Sequence, residues 1–155
     1  MKSSLIRSAV FCLLLFAGCS APHSVSESVA VPVPTPGERA VAVAERMVGK
    51  PYKLSGETPA GFDCSGLVRY SYLAAGIDLP HHTLGLMQRS RIVDGTDLQK
   101  GDLVFFDENG KKYSHVGIYA GENLFVHAAS TGKAVRVDSL LDPYWKEHFL
   151  DARRL

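Results

Sequence analysis

Cysteine is scarce in this 155-residue chain, with three in all, and tryptophan occurs once. Three cysteines cannot build the dense cross-linking of a small disulfide scaffold. Positive charge is not in excess either: 17 Lys and Arg against 16 Asp and Glu give a formal charge of +1, which excludes nucleic acid as the partner of a basic face. No apolar run approaches the ~18 residues of a membrane-spanning helix; the run Ala9 to Ala17 is too short. Internal repeats are missing as well, so solenoids and propellers are excluded. What the chain does have is a 46% apolar composition, enough for one buried core and too much for a disordered polymer.

The apolar run follows Lys2 and Arg7 and closes on Gly18-Cys19, the layout of an export signal with small residues at its cleavage point. Phe16-Ala17-Gly18-Cys19 resembles the lipid-attachment motif of bacterial lipoproteins. That likeness implies removal of residues 1–18 and a palmitate-bearing Cys19 as the new N-terminus. Lys2, Arg7 and Cys12 leave with the signal, and the net charge becomes about −1. Cys64 is then without a disulfide partner in an oxidising compartment, and such a thiol calls for a role. Residues 19–37 join the lipidated cysteine to a stretch containing Pro22, Pro32, Pro34, Pro36 and Gly37, an extended tether of polyproline character. The globular domain is expected over residues 38–155.

Within that domain Ala40, Val41, Ala44, Met47 and Val48 recur at helical spacing and predict a helix over 38–48. A second helix starts at Cys64 behind Asp63 as N-cap and stops at Gly76. Thr83 is placed to cap a third, which runs to about Ser90. From Asp102 the period changes to two, with strands expected at 103–106, 114–120, 123–129 and 134–137, a short helical segment near Tyr144 to Lys146 and a last strand over 149–153. Helices followed by short strands predict an α+β domain, its N-terminal helices packed on a mainly antiparallel sheet.

Cys64 falls in the first turn of the second helix, where unpaired amides and the helix dipole favour a thiolate, so its pKa is expected to fall. A base must stand nearby. If strands 114–120 and 123–129 join through a three-residue loop centred on Gly121, Val116 faces Val126, Ile118 faces Leu124, and His115 faces His127 on the opposite side of the sheet. Gly117 leaves room beside the two imidazoles. A thiol and two histidines fit nucleophilic catalysis, with one imidazole as base and a second group orienting it. The same residues leave open a zinc-dependent hydrolase, although no short-spaced ligand pair is present, and a non-catalytic lipoprotein whose cleft only binds.

Gly49-Lys50-Pro51-Tyr52, Gly61-Phe62-Asp63-Cys64-Ser65-Gly66-Leu67-Val68, Gly101-Asp102-Leu103-Val104-Phe105-Phe106, His115-Val116-Gly117-Ile118-Tyr119 and Phe125-Val126-His127-Ala128 occur in that order. Together they resemble the NlpC-type cell-wall cysteine peptidases, a papain-like family. The resemblance spans essentially all of 38–155 and implies a thiol endopeptidase acting on peptidoglycan stem peptides, with Cys64 as nucleophile, His115 as base and His127 as the third polar residue. It further implies Tyr52, Asp63 and Ser65 as substrate-binding residues, and neither a metal nor a cofactor. Pro143-Tyr144-Trp145-Lys146 and the lipid motif look most like murein endopeptidase lipoproteins; Trp145 itself is read as packing. Ser20 after the lipidated cysteine implies the periplasmic side of the outer membrane. His81 and Leu86 depart from the family's usual Arg and Gln, which bears on substrate choice.

Overall fold

The computed structural model describes residues 32–155 other than Asn109 and Thr131; the expected export signal, the expected lipidation at Cys19 and the expected tether up to Val31 lie outside the described residues. Helix α1 (Pro36–Arg46) begins two residues before the expected position. The cause is a capping box, in which Thr35 Oγ1 accepts from Glu38 N–H at 3.2 Å and Glu38 Oε2 accepts from Thr35 N–H at 2.7 Å, with Pro36 in the first turn. A two-stranded ribbon, β1 (Glu57–Thr58) with β2 (Gly61–Phe62), leads into α2 (Cys64–Ala74), which Asp63 caps as expected. Helix α3 (Thr83–Arg89) is capped by His82 rather than Thr83: the imidazole Nδ1 accepts from Gly85 N–H at 2.9 Å, and a methyl group at Gly85 would stand 2.4 Å from that ring's Cε1.

Six strands follow: β3 (Arg91–Val93), β4 (Leu103–Glu108), β5 (Lys111–Gly121), β6 (Leu124–Ala128), β7 (Val135–Ser139) and, after the short helix α4 (Pro143–His148), β8 (Phe149–Arg154). They form one antiparallel sheet in the order β3-β8-β4-β5-β6-β7. Alternation along β4 splits the apolar residues between two layers. Leu103 and Phe105 join Val116, Ile118, Val126, Leu67, Val68 and Leu86 beneath the helices. Val104 and Phe106 turn to the other face, where Phe125, Tyr119, Trp145 and Ala152 close a second cluster. Each fully buried Phe contributes about 1.5–3 kcal/mol by leaving water.

The β5–β6 hairpin corrects the expected register. Pairing runs Ile118 with Val126 and Tyr119 with Phe125, a slip of two residues, because the turn is Glu122-Asn123 alone, both at positive φ (53° and 60°), with a bulge before Gly121. His115 therefore does not sit opposite His127; Gly117 occupies the position beside it. A slip of two preserves the face each side chain points to. Both histidines stay on the expected face, diagonal rather than opposed, while Leu124 slides to the turn and is 37% exposed.

Candidate active site

Asp63 does more than cap α2. Its Oδ1 accepts from Gly66 N–H at 2.7 Å and Ser65 Oγ–H at 3.1 Å, and lies 3.0 Å from His81 Nε2. Gly66 has no alternative here, since a methyl group would stand 2.0 Å from the Gly56 carbonyl oxygen. The carboxylate thus fixes the first turn of α2, on which Cys64 is half-buried and Ser65 buried. Backbone N–H groups of Val116, Ser65 and Cys64 itself reach the sulfur. Val116 follows His115 directly in β5, so the thiol lies against the strand one residue from the imidazole.

The thiol pKa runs against expectation. Burial, and after it the negative charge of Asp63, push Cys64 up to about 12 from its ordinary value, and the three amides only partly offset them. Desolvation outweighs the helix terminus because the sulfur is packed beneath the strand rather than held out in water. Burial likewise pushes His115 and His127 down to about 4. At neutral pH the thiol and both imidazoles therefore rest uncharged.

His115 and His127 are 2% and 0% exposed. His115 Nε2 lies 2.8 Å from His127 Nδ1, the rings nearly perpendicular with centroids 5.0 Å apart, and His127 Nε2 lies 3.0 Å from Asp138 Oδ2. The same oxygen accepts from Trp145 Nε1–H at 2.8 Å and from Arg136. Trp145 stacks on His115 at 5.5 Å and meets His127 edge-on at 4.9 Å, so it walls the imidazole pair as well as packing the second cluster. On the other side Glu108 Oε2 stands 3.5 Å from His115 Nδ1, and Glu108 Oε1 accepts from Tyr144 O–H at 3.0 Å. Burial first, and after it the negative charges of Asp63 and Glu108, hold the Tyr52 phenol above the usual range.

Cys64, His115, His127 and Tyr52 are thus drawn to the middle of β5, and Asp63 and Ser65 flank them. Among the described residues no three His, Cys, Asp or Glu side chains converge as a metal site, and hydrogen bonds occupy both nitrogens of His127. Asp138, Glu108 and Tyr144 escape the sequence. Asp138 was within reach: a strand ended at Val137 stops one residue short, whereas alternation through Val135, Arg136 and Val137 puts the next acidic residue opposite Phe125, on the histidine face.

A cavity of about 540 Å³ opens behind this wall, lined by Glu108, Lys133, Arg136, Asp138, Tyr144 and Trp145 among others. Residues 49–154 match the NlpC/P60 family. Probable endopeptidase YafL of Escherichia coli (strain K12) is 39% identical over 123 residues, covering 76% of this chain and 49% of the relative. Murein DD-endopeptidase MepS/Murein LD-carboxypeptidase of the same strain is 42% identical over 108 residues, covering 69% and 56%. The chain thus spans about half the length of these curated relatives. Among solved structures, the NlpC/p60 domain of peptidoglycan hydrolase SagA superposes with a TM-score of 0.66 at 33% identity, covering 77% of this chain and 98% of that one. An NlpC/P60 family protein from Bacillus cereus ATCC 10987 gives 0.73 at 30% identity, covering 79% and 41%. With residues 49–154 matching that family and solved members superposing on the same fold, the helix-start thiol and the buried imidazole pair lie within the matched region, and the chain belongs to the NlpC/P60 family.

Proposed function

We propose that the chain is a cell-wall cysteine endopeptidase that hydrolyses murein stem-peptide or cross-link bonds, with Cys64 as nucleophile, His115 as base and His127 orienting it. The observation that carries this reading is the 2.8 Å contact between two buried imidazoles, His127 on β6 and His115 on β5, the strand whose Val116 N–H also meets the Cys64 sulfur. His115 Nε2 is engaged by His127, so the proton from the thiol goes to Nδ1 as sulfur attacks the peptide carbonyl carbon. The imidazolium then passes that proton to the departing amine as the C–N bond breaks, leaving a thioester on Cys64. Water, deprotonated by His115, cleaves the thioester and restores the thiol. Amides of the first turn of α2 supply partial positive charge for the transient oxyanion. A pair that rests neutral suits this route, because proton transfer and attack proceed together and no free thiolate is stored. Asp63, Ser65 and Tyr52 serve as the substrate-facing edge of the cleft.

Residues 1–18 as an export signal, lipid on Cys19 and a tether to residue 37 would place the domain at the periplasmic face of the outer membrane, and the names of the murein endopeptidase relatives support an envelope substrate. Digestion of purified cross-linked and uncross-linked muropeptides, resolved by mass spectrometry, tests the activity. Products that differ from substrate by one water per cut peptide bond are expected; intact muropeptides with a folded enzyme would overturn it. Cell fractionation tests the location, with the protein expected in outer-membrane fractions and Cys19→Ser expected to leave them.

A further inference from the structure

His127 has two ring nitrogens, and a neutral imidazole carries a proton on only one. Asp138 Oδ2, 3.0 Å from Nε2, also receives Trp145 Nε1–H and Arg136, two groups that can only donate. An oxygen that takes two such donors is an acceptor toward the third neighbour too. His127 must therefore carry its proton on Nε2 and present a bare Nδ1 to His115, 2.8 Å away. His115 in turn donates from Nε2, which leaves its Nδ1 unprotonated. The carboxylate at its end sets the first link, and the 2.8 Å contact carries it to His115 against the pull of Glu108 Oε2, 3.5 Å from that Nδ1.

We infer that Asp138 is a positioning residue of the hydrolytic site, fixing the tautomer of His127 and through it the nitrogen that His115 offers to the thiol. The inference rests on the reading of His115 as base. Side chains on three elements converge on Asp138: His127 from β6, Arg136 from its own strand β7 and Trp145 from α4. The buried Trp145 N–H needs an acceptor, and the oxygen that supplies it is the one that meets His127 Nε2, so packing and imidazole orientation are set by the same atom. The carboxylate also answers the charge that the imidazole pair acquires when the thiol proton arrives.

Two measurements test it. In the 15N-labelled Cys64→Ala protein, ring-nitrogen shifts should show His127 protonated at Nε2 and bare at Nδ1, and His115 bare at Nδ1; a His127 protonated at Nδ1 overturns the inference. On muropeptides, Asp138→Asn keeps volume and an acceptor for Trp145 but removes the charge. It should lower kcat by about 10- to 100-fold with KM within about twofold and the melting temperature nearly unchanged, the loss of one charge-assisted hydrogen bond. In a His127→Ala background the same substitution should cost less than about threefold, because its route to His115 is gone. An equal loss with and without His127, or a loss that only follows the folded fraction, contradicts the positioning role. Should the wild type cut no wall peptide, the proposed reaction fails, while the ring nitrogens still decide the tautomer.

Discussion

Gly117→Ala puts a single methyl group where the two histidines and the second apolar cluster meet. On the present backbone that methyl would stand 2.5 Å from Phe125 Cδ2, 3.1 Å from the Val126 carbonyl oxygen and 3.3 Å from His127 Cβ. Phe125 cannot swing aside: it is fully buried, with Phe106 at 5.0 Å, His127 at 4.9 Å and Trp145 at 5.2 Å between ring centroids. The strain must pass into β6, which carries His127. Overpacking of this kind costs about 1–3 kcal/mol, and at roughly 4 °C per kcal/mol the melting temperature should drop by about 4–12 °C. Activity should fall much further, because a misplacement of about 1 Å in the imidazole pair can cost on the order of 100-fold in rate. Thermal unfolding followed by circular dichroism, together with kcat on a muropeptide well below the melting temperature, checks both numbers. A variant that melts and turns over like the wild type would refute the account of Gly117 as the space that seats His127.

His115→Ala should reduce hydrolysis to the level of a nucleophile-null enzyme, while His127→Ala or Asn should lose less because it only orients the base; steady-state rates with the larger loss at His127 would reverse the roles. Glu108, 3.5 Å from His115 Nδ1, holds the imidazole pKa up against burial, so Glu108→Gln should move the acid limb of kcat/KM to lower pH and weaken the base at neutrality. A pH–rate profile whose acid limb stays put or moves up would contradict this. His115 and His127 are held near pKa 4 when folded against an ordinary value of 6.5. The unfolded chain therefore binds more protons between pH 4 and 6.5, and stability should be full above 6.5 and decline as pH falls toward 4, by on the order of 3 kcal/mol per imidazole. Urea midpoints that stay level or rise from pH 6.5 to 4.5 would show that the imidazoles are not buried neutral.

The fold was legible where one physical rule decides. Asp63 reads as an N-cap because its side chain can reach the free amides of the helix behind it, and the period-two segments from Leu103 onward read as strands because each buries alternate residues. The face of His115 and His127 was equally legible, since it depends on parity alone. Their register was not: a two-residue turn at Glu122-Asn123 with a bulge and a three-residue loop at Gly121 have the same local composition, and only tertiary packing separates them. The Cys64 thiol shows a second limit. Helix position is written in sequence, but the burial that outweighs it comes from the closure of β5 over α2. Asp138, Trp145 and Glu108 belong to elements far along the chain from Cys64, and only the assembled sheet brings them to the imidazoles.

The most direct test of the central claim is the intact mass of the enzyme after rapid acid quenching during muropeptide turnover, with the modified peptide located by fragmentation. The wild type should carry a thioester to the acyl fragment of the stem peptide on Cys64, and Cys64→Ala should fold normally yet show neither adduct nor product. Product formation by Cys64→Ala, and its loss on addition of a chelator, would contradict a thiol mechanism and assign the hydrolysis to a bound metal.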